Sequence, residues 1–204
     1  MTTDSLRVIS IDFPFADKKV IHEPLDSARA LFDFDVVEIR PQRFVAKRFD
    51  VATYDKLHTL MLTKKQELWA FFAQGGVLVV FLDRPDHFVV KNNSYGARDL
   101  VLNNYEFLDS RFAGSIRAGT GTRITYQATP EPFAGVLKKS TIAWTSYIAG
   151  KLNPPLDALK FFARAGGAGA GGFLGGTMPY GEGHLVVLPN VQYLNESAFF
   201  RGLC

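Results

Sequence analysis

The chain has 204 residues, of which 47% are hydrophobic and 21% charged, with a formal net charge of +3. That composition excludes a disordered chain, and 18 Phe, 7 Tyr and 2 Trp supply bulk enough for one core. The single cysteine, Cys204, excludes an internal disulfide and a cysteine-based metal site.

Residues Met1 to Ser5 lack the basic start and apolar run of a secretory signal, and no segment reaches the roughly 20 apolar residues that span a bilayer. Together with the lone thiol, these features predict a cytoplasmic protein with no membrane association. Leu6–Ile11 is short and rich in β-branched residues, which predicts a strand ended by Asp12-Phe13-Pro14. Pro24 to Phe32 predicts a short helix with Leu25, Ala28 and Leu31 or Phe32 on one face. Phe34–Ile39 predicts a second strand, stopped by Pro41, and residues 42–55 predict a loop. Thr63 is a candidate N-cap for a helix over Lys64–Gln74, where Leu68, Phe71 and Phe72 recur at helical spacing. Gly75-Gly76 stops that helix, and Val77–Leu82 follows as a continuous apolar strand of the kind buried on both faces of a parallel sheet.

The first 82 residues therefore read strand, helix, strand, helix, strand. The expected fold is α/β: one domain over 1–204, with a doubly wound, mostly parallel sheet and a C-terminal β-hairpin. Ligands bind such sheets outside the carboxyl ends of the strands. The tips to watch are Asp12–Asp17, Arg40–Arg43 and Asp83–His87, with Asp12, Arg40 and Arg84 as ligand-binding candidates.

Further along, Asn103–Leu108 predicts the start of a helix or a short linker, and Thr122–Tyr126 alternates as a strand does. Pro132–Lys138 predicts a helical turn, Thr141–Trp144 a strand, and Leu156–Ala163 a short helix after Pro154-Pro155. Phe173–Met178 and His184–Leu188 predict a hairpin turning at Tyr180–Gly183.

Two segments carry a family likeness. One is the Lys65–Leu82 run, helix to double glycine to apolar strand; the other is Pro179-Tyr180-Gly181-Glu182-Gly183-His184-Leu185-Val186-Val187-Leu188-Pro189. With the strands at Leu6–Ile11 and Phe34–Val37, they resemble the class I glutamine amidotransferase-like superfamily, most of all its trehalose-utilisation (ThuA-like) branch. The resemblance implies a flavodoxin-like fold, and in catalytic members a Cys nucleophile on a tight strand-to-helix turn with His and Glu or Asp partners. This sequence departs from that pattern. Its only thiol is Cys204, no glycine-flanked Cys or Ser follows a strand and opens a helix, and the tip after the central strand is Asp83-Arg84-Pro85-Asp86-His87.

Asp83, Asp86 and His87 are the catalytic candidates: a carboxylate beside an imidazole could act as a base or hold a metal, against the alternative of a solvated turn. His184 reads as a strand-edge residue, and His22 and His58 lack spaced partners, so no metal site is expected. Gly167–Gly172 matches GxGxxG formally but lacks the strand-turn-helix setting of a dinucleotide site, and no cofactor is expected. From Arg111 to Gly181 there are eight basic residues against two acidic, a surface for nucleic acid or simply a solvated face. Phe13, Phe15, Phe44, Phe49, Phe88, Tyr95, Tyr105, Phe107 and Phe112 fall in expected loops, as interface residues or as uncounted core. Phe199, Phe200 and Leu203 suggest a docking tail or the cut end of a longer protein. The combined reading is a catalytically inactive amidotransferase-like domain, a pseudoenzyme that binds a protein partner or a ligand. The alternatives are a hydrolase of unknown substrate using Asp83, Asp86 and His87, and a nucleic-acid-associated protein using the basic 111–181 region.

Overall fold

The computed structural model describes residues 6–12, 20–45, 49–91, 98–108, 110–126, 143–149, 156–166 and 171–190. In chain order the strands are β1 (Val8–Ile11), β2 (Val20–Glu23), β3 (Val36–Ile39), β4 (Val77–Leu82), β5 (His87–Val90), β6 (Leu100–Asn103), β7 (Ile116–Gly121), β8 (Ile124–Tyr126), β9 (Trp144–Ile148), β10 (Lys160–Ala165), β11 (Phe173–Tyr180) and β12 (Gly183–Pro189). One long helix, α1 (Val51–Ala73), joins β3 to β4.

Ten strands form one mixed sheet. Its spine runs β2-β1-β3-β4-β12-β11-β10-β8, while β9 pairs with β11 and β7 with β9. The stretch from β2 to β12 is parallel, and β11, β10 and β8 alternate in direction beyond it. β5 and β6 form a separate antiparallel pair. β4 lies parallel between β3 and β12, which explains its unbroken apolar sequence: both of its faces are covered.

The two faces are covered differently. Ile9, Val37, Ile39, Val80 and Leu82 meet Met61, Leu68, Phe71 and Phe72 of α1, together with Phe88, Leu102, Tyr105 and Phe107 around β5 and β6. Val8, Val36, Val79, Phe81, Val186 and Leu188 point the other way and meet Trp144, Phe162 and Leu174, which are strand residues. This arrangement overturns the expected doubly wound, flavodoxin-like fold. Of the described residues 44% are strand and 22% helix, with one long helix on one side of a mixed sheet. The connection from β4 to β12 carries strands where a wound fold would carry helices. The burial pattern of β9, buried at every second residue from Trp144 to Ile148, shows the period-two alternation responsible.

Other expectations change with it. Pro24–Phe32 is not an α-helix: Ser27 N–H bonds Pro24 O in a turn, Ala30 is extended, and only Leu31–Asp33 coils, as a 3-10 turn. A nine-residue helix has little stability of its own, and the short face of Leu25, Ala28 and Leu31 does not offset that. The long helix begins at Val51, not after Thr63. Its N-cap is Asp50, whose Oδ1 accepts from Thr53 N–H at 2.9 Å. Leu156–Ala163 is a 3-10 turn leading into β10, in which Phe161 stacks on Phe173 with ring centroids 3.7 Å apart. Phe88, Tyr105, Phe107 and Phe112 are fully buried and belong to the core; Phe44 is half-buried, and Phe49 stacks over Phe88. Phe13, Phe15, Tyr95 and Pro132–Lys138 lie outside the described residues, as do Phe199, Phe200 and Leu203.

The turn between β11 and β12 consists of Gly181-Glu182, with Gly181 at φ +57°. Gly183 sits where a Cβ would strike the carbonyl oxygens of Phe72 and Gly76, so glycine there lets the hairpin close against the end of α1. Among the described residues no helix is long and apolar enough to cross a membrane.

Candidate functional site

Within the parallel part of the sheet, β2 lies on one side of β1 and β3 on the other, so the strand order reverses between β1 and β3. The carboxyl ends of strands flanking such a reversal leave a crevice where ligands bind. Here a cavity of about 200 Å³ opens at that place. Its apolar wall comes from Leu25, Ile39, Phe44, Leu57, Met61 and Phe107, and its polar groups include Asp12, Gln42, Arg43 and Asn104.

Asp12 follows β1 directly and holds φ at +60°, alone in this among the described non-glycine residues. Asp tolerates the left-handed region better than most residues. The conformation is fixed on three sides. Asp12 N–H donates to Glu23 O at 3.0 Å, Asp12 Oδ1 accepts from Leu25 N–H at 3.0 Å, and Gln42 Nε2 donates to Asp12 O at 2.8 Å. Burial pushes the Asp12 carboxyl above the usual carboxylate range, and neighbouring Asp26 pushes the same way; the Leu25 N–H and His22 oppose them. Asn104 braces the opposite wall. Its Oδ1 accepts from Asp86 N–H at 3.0 Å, and its Nδ2 donates to Gln42 O at 3.2 Å and Arg84 O at 3.4 Å.

The candidates at the end of β4 are bound into the frame by separate partners. Arg40 Nε donates to Asp83 Oδ2 at 2.7 Å, with both side chains only 22% and 23% exposed. Asp83 Oδ1 accepts from Arg84 N–H at 2.7 Å and from Thr145 Oγ1 at 3.2 Å. The Tyr105 hydroxyl accepts from Asp83 N–H and donates to Asp83 O, each at 2.7 Å. Asp86 Oδ2 accepts from Phe44 N–H at 2.9 Å. His87 is exposed, with Nε2 3.3 Å from Asn103 Nδ2, and Arg84 is exposed as well. Thus, among the described residues, Asp83, Asp86 and His87 share no common partner: the two carboxylates tie down loops, and the imidazole is exposed. Among the described residues no group of three or more His, Cys, Asp or Glu side chains could hold a metal.

Of the ligand-binding candidates, Asp12 lines the cavity, whereas Arg40 and Arg84 do not. Gln42, Leu57, Met61, Asn104 and Phe107 were not among them. Gln42 lies within the Arg40–Arg43 strand tip, whereas Leu57 and Met61 lie between the expected loop at 42–55 and the expected helix start at Lys64. Within the basic region, Arg117 Nη1 donates to the carbonyls of Gly114 and Ile116, and the Arg164 guanidinium lies 4.7 Å from the centre of the Phe173 ring.

No protein-family model matches the chain, and no curated protein matches its sequence. Solved structures that resemble it include the β-galactosidase from Rahnella sp. R3, at 13% identity and a TM-score of 0.47, over 89% of this chain and 24% of that one. Another is the β-galactosidase from Bacillus circulans sp. alkalophilus, at 14% identity and a TM-score of 0.43, over 90% of this chain and 23% of that one. The chain spans about a quarter of the length of these proteins. Likeness at this level leaves the reading of the site to the geometry above.

Proposed function

We propose that this chain is a cytoplasmic binding module without chemistry of its own, and that its site is the cavity at the carboxyl ends of β1 and β3. One observation carries the reading: at the reversal of strand order, a half-buried carboxyl stands on the rim of an otherwise largely apolar cavity. That combination of an apolar wall and a few placed polar groups is what small-molecule sites require. The volume is below the ~300 Å³ at which drug-sized ligand pockets begin, so the occupant is small. Support for a non-catalytic role comes from the end of β4, where both carboxylate oxygens of Asp83 and Oδ2 of Asp86 are engaged in loop and ion-pair bonds. The lone cysteine supports the reducing compartment.

The test is a fragment screen read by methyl NMR on the full chain. Fragments that bind should move the methyl signals of Leu57, Leu60 and Met61. If no fragment of any chemical class moves them, the cavity is not the site. A parallel screen for esterase, phosphatase and glycosidase turnover should be blank; turnover abolished by His87→Ala would replace this reading with a hydrolase.

A further inference from the structure

The cavity carries opposite charges at its rim and hydrocarbon within. Asp12 Oδ1 is taken by Leu25 N–H, but Oδ2 has no partner among the described residues. Gln42 uses Nε2 to donate to Asp12 O and Arg40 O, which leaves its Oε1 as an acceptor without a described partner. Two acceptors on one side of a cavity, one of them a partly desolvated carboxylate, call for a donor with several N–H groups and a positive charge.

Arg43 supplies the complement. The described arginines Arg7, Arg29 and Arg40 pair with Asp35, Glu23 and Asp83. Arg43 lines the cavity and makes no ion pair among the described residues. A guanidinium with its planar fork open matches a carboxylate through two parallel hydrogen bonds. Asp26 also stands on the rim, so the acidic groups there outnumber the cation. A ligand with only a negative charge would be repelled. One that brings an ammonium as well would not.

Resting on the binding reading above, we propose that the ligand is a small aliphatic zwitterion of the free α-amino acid class. Its ammonium sits on Asp12 and Gln42, its carboxylate on Arg43, and its side chain against Leu57, Met61 and Phe107. Size agrees: about 200 Å³ equals the liquid volume of about seven waters. A branched aliphatic amino acid fits such a space; a nucleotide or disaccharide does not.

The experiment is calorimetric titration of the full chain with L-leucine, isopentylamine (cation only) and 4-methylpentanoate (anion only), with methyl NMR to place the ligand. Leucine should bind and move Leu57 and Met61 signals. Each singly charged analogue should bind roughly tenfold or more weakly, as loss of a charge-assisted hydrogen bond implies. Asp12→Asn should weaken leucine by a similar factor. Asn can still accept from Leu25 N–H and tolerates the left-handed backbone, so a loss there reads the charge and not the fold. Isopentylamine binding as tightly as leucine would overturn the zwitterion assignment while leaving the cavity as the site. So would silence toward every aliphatic amino acid when other fragments reach Leu57 and Met61. Leucine that binds but moves methyl signals elsewhere would overturn both this assignment and the cavity.

Discussion

Replacing Tyr105 by Phe tests whether the end of β4 is held from below by one hydroxyl. The side chain is fully buried, and its oxygen serves both backbone groups of Asp83, at 2.7 Å each. Tyr105→Phe keeps the ring and its packing, so no cavity beyond a single oxygen is opened. What is lost is satisfaction of one N–H and one C=O. Each orphaned buried group costs ~1–3 kcal/mol. Asp83 is partly open to solvent, so water relieves part of the loss, and the expected total is the lower bound for two groups, about 2 kcal/mol. For a chain of this size that corresponds to a fall in melting temperature of about 4–8 °C. Urea unfolding followed by the fluorescence of Trp69 and Trp144 measures it, with the denaturant slope unchanged. Tyr180→Phe provides the control: its ring stacks on Phe72 at 4.8 Å, and its hydroxyl has no described partner, so removal should cost little. If Tyr105→Phe changes stability by no more than ~0.5 kcal/mol, the range of ordinary surface substitutions, the Tyr105 hydroxyl does not clamp the end of β4.

Asp50→Ala removes the N-cap of α1 and should cost about 1 kcal/mol in the same urea assay; an unchanged midpoint would mean that the first turn at Val51 needs no cap. Gly183→Ala drives a Cβ into the carbonyls of Phe72 and Gly76, backbone atoms with little freedom to retreat, and should cost ~3 kcal/mol or more; a variant that melts like the parent would show that the hairpin can shift. Asp12 has its carboxyl pushed up on folding, so it favours the native state below the ordinary carboxylate range, and that contribution is lost as pH rises through the raised value. Asp12→Asn should therefore be at least as stable as the parent at neutral pH, with the difference shrinking in acid; thermal melts across pH that show the opposite slope would reject burial as the cause. Asp35 works in the other direction. Hydrogen bonds from Arg7 hold its carboxyl below the usual range, so its contribution is present above the ordinary carboxylate value and fades as pH falls through the lowered one. Asp35→Asn should narrow its gap to the parent in strong acid, and a gap independent of pH would count against the pair.

The parts with local signals are legible in the residues alone. Val77–Leu82 reads as a buried strand because six consecutive apolar residues have no polar face to show water. Gly75-Gly76 ends the helix, with Gly75 at φ +104°, and Gly181-Glu182 makes the turn between β11 and β12; a positive φ at glycine is written into the residue type. Asp12 was legible as a strand-tip residue because it directly follows the β-branched run of β1, and it lines the cavity. Period and partnership were not legible. Phe161-Phe162-Ala163 fits a helix or a strand equally well over so few residues, and only its pairing with β11 and β8 makes it a strand. Tyr54, Leu57 and Met61 extend the apolar stripe of α1 toward its start, but polar residues between them obscure it until Asp50 is seen as the cap. The cavity brings together the end of β1, the end of β3, the first turns of α1 and the Asn104–Phe107 turn. No local pattern can report contacts between segments so far apart in the chain; the tertiary structure decided them, because each apolar surface is buried by whichever segment the sheet order places against it.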